Sequence, residues 1–362
     1  MKYIDEFRRK DLARKAAEKI HEAMVPRQVR IMEVCGTHTQ SFHRFGLANL
    51  LPAQLHMLSG PGCPVCVSTQ RYIDQAITLA KHKEVILLTF GDMLRVPGTH
   101  SNLEKERAQG ARVQILYSAL ESLAIAHAHP DKKIIFLAVG FETTAPTIAL
   151  TMIRTREQRV KNLFFLTSLK TMPPALQYLV SDARLNVDGL LLPGHVSSII
   201  GMNPYAFIPK EHKIPCCIAG FEPLDILEGI LSILQQIRRS KPCVANQYVR
   251  VVRRQGNPRA QKIIARVFRR CDAEWRGLGN IPKSGLRITQ DFFDFDAEKV
   301  FPVIEKGKKL ARHTQCRCGD VLKGLVLPKE CRLFAKACTP DHPIGPCMVS
   351  YEGACNAYFK YR

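Results

Sequence analysis

Eight short apolar runs, separated by stretches that read as helices, set what this chain can become. The runs lie at 29–34, 55–58, 85–90, 113–117, 134–139, 163–166, 189–192 and 214–219. Helical composition and spacing fall at 11–24 and, between runs, at 70–82, 117–129, 147–158 and 224–239. Strands that alternate with helices imply parallel sheets joined by right-handed crossovers. Eight strands are generous for one sheet, so the spacing predicts an α/β chain with two sub-domains that divide near 117–131. After about residue 241 the periodic strands vanish, and a different kind of segment is expected.

The ends of the runs carry more information than the runs themselves. The first exits into Cys35-Gly36-Thr37-His38, and the second into Gly60-Pro61-Gly62-Cys63-Pro64-Val65-Cys66. Others exit at Gly91-Asp92, at Gly140-Phe141-Glu142, at Pro193-Gly194-His195 and at Gly220-Phe221-Glu222. Sites in open α/β sheets form outside the carboxyl ends of the strands. Glycine lets the backbone turn sharply there and approach a ligand closely. Two such sheets facing each other would enclose a cleft lined by thiols, histidines and carboxylates.

Thirteen cysteines in a chain without an apolar leader point to metal, cluster or redox chemistry rather than a disulfide scaffold. The charged start MKYIDEFRRKDLARK is not a secretory signal, and no run of 18 uncharged apolar residues occurs, so a cytoplasmic chain without a membrane span is expected. Six cysteines, Cys316, Cys318, Cys331, Cys338, Cys347 and Cys355, crowd into the last stretch, 316–362. Only one close pair exists there, and it is CxC, whereas zinc sites usually offer two CxxC-type pairs. Scattered thiolates suit an iron–sulfur cluster better than zinc, though both metals accept four. Cys63 and Cys66 form a CxxC at a helix start, which favours thiolate and a dithiol/disulfide pair over half a zinc site. Cys35 and His38 are three apart. Cys35 reads equally as a buried small hydrophobe or as a nucleophile or ligand with His38 moving protons. Glu142, His195 and Glu222 share equivalent strand exits, which sets them above ordinary structural polar groups.

The net charge is +21, and 250–270 holds eight basic residues and no acidic one. A solvated helix face is the plainer account; a dock for an acidic protein is the functional one. Stacking aromatics are not interleaved with the charges, so nucleic acid is not favoured. P-loop, GxGxxG, GxSxG and HExxH signatures do not occur, which leaves nucleotide-driven chemistry and standard hydrolysis unsupported.

Seven motifs in one order resemble the HypD family of hydrogenase maturation factors. They are CGTHT from Cys35, GPGCPVC from Gly60, FGDMLRVPG from Phe90, GFETTAP from Gly140, PGHVSSIIG from Pro193, AGFEPLDIL from Ala219, and the tail ending GPCMVSYEGAC. The resemblance implies two Rossmann-like α/β domains and a third domain with a [4Fe-4S] cluster. On that basis 1–28 is an N-terminal helical segment and 29–120 and 121–240 are the α/β domains. The basic segment and cluster domain fill 241–362. The family's C-x14-C-x6-C-x16-C pattern selects Cys316, Cys331, Cys338 and Cys355 as cluster ligands, with Cys318 and Cys347 as near neighbours. The resemblance also implies Cys35 as the thiol for the iron of an Fe(CN)2CO group, His38 beside it, and Cys63 with Cys66 as the redox pair. Implied partners are a small HypC-type chaperone, a HypE-type cyanide donor and, indirectly, the hydrogenase large subunit. The reading is thus a metallocentre assembly scaffold with redox activity. The alternative is a stand-alone iron–sulfur thiol–disulfide oxidoreductase.

Overall fold

A computed structural model describes residues 4–301 and 315–361. All eight apolar runs become strands. In chain order they are β1 Val29–Glu33, β2 Leu55–Ser59, β3 Val85–Thr89, β4 Val113–Ile115, β5 Lys133–Gly140, β6 Leu163–Lys170, β7 Gly189–Pro193 and β8 Cys216–Ala219. Three more follow, β9 Val244–Asn246, β10 Phe268–Trp275 and β11 Gly279–Ile288. One sheet has the order β2-β1-β7-β8-β9 and is parallel throughout. The other runs β10-β11-β6-β5-β3-β4, with β3 to β6 parallel and the β10–β11 hairpin added antiparallel to β6.

The expected division near residue 120 falls inside the second sheet. β1 and β2 leave for one sheet, β3 to β6 build the other, and β7 to β9 return to the first. Each sheet is therefore assembled from distant parts of the chain. Two parallel strands need a long crossover, and here the crossover from β2 to β7 contains the parallel core of the second sheet.

The expectation that strands end after residue 241 also fails. In β10 Phe268 and Trp275 are buried, in different cores, while Arg269, Arg270, Asp272 and Glu274 are exposed. Its exposed charges break the continuous apolar run that marks the doubly covered strands. The basic stretch is likewise mixed. It contains a helix, Pro258–Val267, and then enters β10. Its first residue is not free: Arg250 makes a bidentate pair with the fully buried Asp225 (2.6 and 2.7 Å) and lies over the ring of Phe7.

Alternate residues of the central strands face opposite ways. Met32, Leu87, Ile135, Leu190 and Leu192 join a core shared by both sheets and by helices Gln70–Ala80 and Met172–Val180. Ile86, Leu88, Ile134 and Phe136 face an outer core under helix Ala145–Glu157. Ile31 and Leu191 face another, under helices Lys10–Ala23 and Pro223–Arg239. The doubly covered strands account for their near-continuous apolar sequences. No helix among the described residues is long and apolar enough to cross a membrane.

Candidate metal and thiol centre

Cys35 leaves β1 and becomes the N-cap of helix Gly36–Arg44. The Gly60–Cys66 loop leaves β2 beside it. Gly62 lies so close that a Cβ there would strike the backbone of Cys35, and Gly36 N–H donates to Gly62 O (3.1 Å). Two strand exits are thereby pressed together, and only glycine permits it.

Cys63 in turn caps the short helix Pro64–Val67, with Pro64 fixing its first position. The cap brings Cys66 N to 3.3 Å and Cys66 Sγ to 2.7 Å from Cys63 Sγ. Both thiols are buried. Burial pushes the Cys63 pKa up, partly offset by the Cys66 hydrogen bond, and raises Cys66 well above its ordinary value. The helix start alone predicts an acidic thiol. Desolvation wins here, because the helix is a single turn and the site is closed.

Burial likewise raises Cys35 to about 12, with the Glu352 carboxylate adding to the effect. Glu352 is a residue that sequence reasoning missed. It belongs to the tail, where its Oε1 accepts from the Thr37 hydroxyl (2.6 Å), and a Cβ on Gly36 would lie 2.5 Å from its carbonyl. Its place within GPCMVSYEGAC was the available signal. Behind Cys35, burial raises the Glu33 pKa to about 8, its bond from Thr39 acting the other way. Glu33 Oε1 has no hydrogen-bond partner.

His38 is fully buried, and its Nε2 faces the carbonyls of Gly220 (2.8 Å) and Ala219 (3.1 Å). Burial lowers its pKa to about 4, so the ring is neutral near neutrality. Phe221 lies 4.7 Å from its ring, and His195 stacks on Phe221 at 3.9 Å. Glu222, from the same loop, caps helix Pro223–Arg239 and accepts a bidentate pair from Arg8 (2.5 and 2.9 Å). Glu142 lies at the exit of β5 in the other sheet. Its Oε1 accepts from Met172 N (2.9 Å), while Oε2 is buried without a partner. Burial raises its pKa to about 7. The structure thus joins Cys35, His38 and His195 around the first sheet, whereas Glu222 is engaged by Arg8 and Glu142 belongs to the second sheet.

The tail has little regular structure, yet its thiols converge. Cys316, Cys331, Cys338 and Cys355 line one small apolar cavity with Cys318, Cys347, Val321, Leu333, Phe334 and Met348. Cys338 Sγ accepts from Ile344 N (3.4 Å). Burial, then the charges of neighbouring thiols, raises Cys316 to about 12 and Cys355 well above its ordinary value. Such a ring of thiols cannot ionise together without a cationic core to offset the repulsion. Among the described residues no three His, Cys, Asp or Glu side chains meet at a point that would hold one ion. Four sulfurs set around an apolar cavity fit a polynuclear iron–sulfur core better than a single tetrahedral zinc.

Cys318 and Cys347 do not stand apart from this. Their sulfurs lie 2.6 Å from each other. Cys347 also hydrogen-bonds Cys66, which further contacts Pro346 O (3.9 Å). A line of sulfurs, Cys63, Cys66, Cys347, Cys318, therefore runs from the CPVC loop to the wall of the tail cavity.

A family model named HypD and described as the Hydrogenase formation hypA family matches residues 11–362. The chain belongs to the HypD family of hydrogenase maturation factors. Hydrogenase maturation factor HypD of Azotobacter vinelandii is 43% identical, across all of this chain and 97% of its own length. Its counterpart in Escherichia coli K12 is 42% identical across all of this chain and 98% of its own. That of Rhizobium leguminosarum bv. viciae is also 42% identical. Matches of such extent place the HypD family across both sheets and the cysteine-rich tail.

Proposed function

We propose that this chain is a scaffold on which the Fe(CN)2CO group of a [NiFe] hydrogenase is assembled and from which it is passed on. Iron is held by the Cys35 thiolate. The Cys63–Cys66 dithiol delivers two electrons as its two S–H bonds break and one S–S bond forms, releasing two protons. Cys316, Cys331, Cys338 and Cys355 would hold a [4Fe-4S] cluster, which when bound supplies electrons singly. The line of sulfurs from Cys63 to Cys318 carries the reading, because it links a two-electron dithiol to a one-electron centre through side chains in contact. Soft thiolates also suit low-spin iron bearing cyanide and carbon monoxide.

A role in maturation implies contact with other maturation proteins. The partners proposed are a small HypC-type chaperone, a HypE-type cyanide donor and, indirectly, the hydrogenase large subunit, all in the cytoplasm. Burial of Cys35 keeps its thiol protonated and unreactive until iron displaces the proton. Metal binding to such a thiol releases protons, and the enclosed site keeps water from the cargo.

Infrared spectra of anaerobic protein, co-expressed with its small partner, test the reading. Cyanide and carbonyl stretches should be present and should vanish in Cys35→Ser. Cys63→Ala should keep the cluster yet stop loading of the diatomic ligands; normal loading would refute the dithiol's role. Spectra without those bands in properly co-expressed material would favour a stand-alone thiol oxidoreductase.

A further inference from the structure

We infer that the open cavity between the β10–β11 turn and the tail is the docking site of an external one-electron donor protein, and that electrons enter the molecule there. The inference rests on the roles proposed for Cys63, Cys66 and the tail thiols. A dithiol that has given up two electrons is left as a disulfide. It is restored only by two electrons and two protons, while an iron–sulfur core takes up electrons singly. The electrons therefore come from outside the chain, one by one, along a route that reaches the tail.

The fold offers such a route. A cavity of about 470 Å³ opens between the turn after β10, the start of helix Gln70–Ala80 and the tail. Cys316, Cys318 and Gly345 line it, and the same three residues line the thiol cavity. The two cavities thus share a wall. It is bare backbone at Gly345, where a Cβ would lie 2.7 Å from Cys316 Sγ. Cys316 is itself only partly buried. On the same wall Cys318 meets Cys347 at 2.6 Å, and so joins the line of sulfurs to Cys66 and Cys63. A donor seated here adjoins both a cluster thiol and the relay.

The hairpin side of the cavity is firm. Trp275 is fully buried, and its Nε1 donates to Ser284 Oγ (2.8 Å). Arg276 N donates to Val67 O (2.9 Å), and its Nη1 to Pro97 O (3.3 Å). The exposed tip carries Gly277 and Gly279, both left-handed at φ +82° and +90°, with no side chain to hold a partner off. Arg71, Arg276 and Arg317 line the mouth against Glu274 and Asp320, and Arg317 pairs with Asp320 (3.0 Å). On a chain of net charge +21, this mouth suits an acidic donor. Complementary charge speeds such encounters about 10–10³-fold. A nicotinamide, which passes a hydride, does not suit a one-electron centre. In each transfer the donor is oxidised by one electron and the iron held by the tail thiolates is reduced by one. Two transfers and two protons turn the Cys63–Cys66 S–S bond into two S–H groups.

The test mixes the full-length, cluster-containing chain with a reduced acidic [2Fe-2S] ferredoxin as the donor probe. The visible absorption of the cluster should bleach in proportion to donor, and more slowly as salt rises. Arg71→Glu combined with Arg317→Glu should slow bleaching about tenfold at low salt, and Glu274→Lys should speed it. Lys336→Glu, at an exposed cation outside the cavity, should change nothing. Dithionite, a small reductant, should reduce every variant at the wild-type rate. Equal ferredoxin rates in the wild type and the double variant overturn the inference. If dithionite also slows with the double variant, its cavity is damaged and Glu274→Lys decides: an unchanged ferredoxin rate overturns the inference. A wild-type chain that holds no cluster defeats that reading instead. Oxidised ferredoxin should then still protect 274–279 from hydrogen exchange, and a lack of protection overturns the docking site.

Discussion

Two pairs of thiols in this molecule look alike and are made differently. Cys63 and Cys66 meet because they lie three positions apart across a helix cap, and Pro64 sets the turn. Cys318 and Cys347 meet because the fold brings them together from 29 residues apart. Cys318 opens the short helix Cys318–Leu322, held where Gly319 packs on Gly277 of the β10–β11 turn. Cys347 sits in a 3-10 turn that Asn356 secures through Met348 O (3.0 Å). The first pair is a local property of seven residues. The second depends on a hairpin, a tail and the cavity between them.

The comparison breaks most decisively at the proposed cluster. Alanine at Cys316, Cys331, Cys338 or Cys355 should abolish the visible absorption of the cluster and release the Cys318–Cys347 pair, while Cys63 and Cys66 still form a disulfide on mild oxidation. Alanine at Cys318 or Cys347 should keep that absorption. Its loss in Cys347→Ala would make Cys347 a ligand instead of a relay.

Next in size is Glu142, which belongs to neither pair. Its pKa rises from 4.5 to about 7 on folding. The folded state therefore holds this proton more tightly, and the associated stability is complete below about 4.5 and lost as pH rises through about 7. The shift corresponds to roughly 3 kcal/mol. Glu142→Gln should flatten the fall in unfolding free energy across that window without altering oxidation of either thiol pair. An unchanged pH profile would refute the assignment.

Gly277 separates the pairs more finely. Its φ is +82°, and a Cβ would lie 2.6 Å from Gly319 Cα. Gly277→Ala should cost about 1–3 kcal/mol in denaturant unfolding. It should slow oxidation of Cys318 with Cys347 and leave Cys63 with Cys66 as before. Equal slowing of both would mean that the pairs are not independently built.

Asn356→Ala should have the smallest effect, about 1 kcal/mol, by leaving a buried carbonyl without its donor. Hydrogen exchange should rise in the tail and not around the CPVC turn.

Legibility in the sequence follows the same line. The eight runs were readable because strands covered on both faces are apolar almost throughout. β10 was not, since Arg269, Arg270, Asp272 and Glu274 leave it without a continuous apolar run. Cys35, Cys63, Cys66 and the four tail cysteines were readable as candidates from spacing, strand exits and family pattern. The roles of Glu352, Phe221 and Arg8 were not, because each acts through a partner far along the chain: Thr37, His38 and Glu222.

The sequence by itself determined the first eight strands, the glycine exits and the CPVC turn, since these are set by residues within a helical turn or strand of one another. Tertiary structure alone decided which strands share a sheet, that Glu222 is bound by Arg8, and that His38 Nδ1 is buried without a hydrogen-bond partner. It also decided that Cys347 links Cys66 to Cys318. The physical reason is range. Propensity and capping act over a few bonds, whereas burial and side-chain contact depend on which distant segments the core brings together.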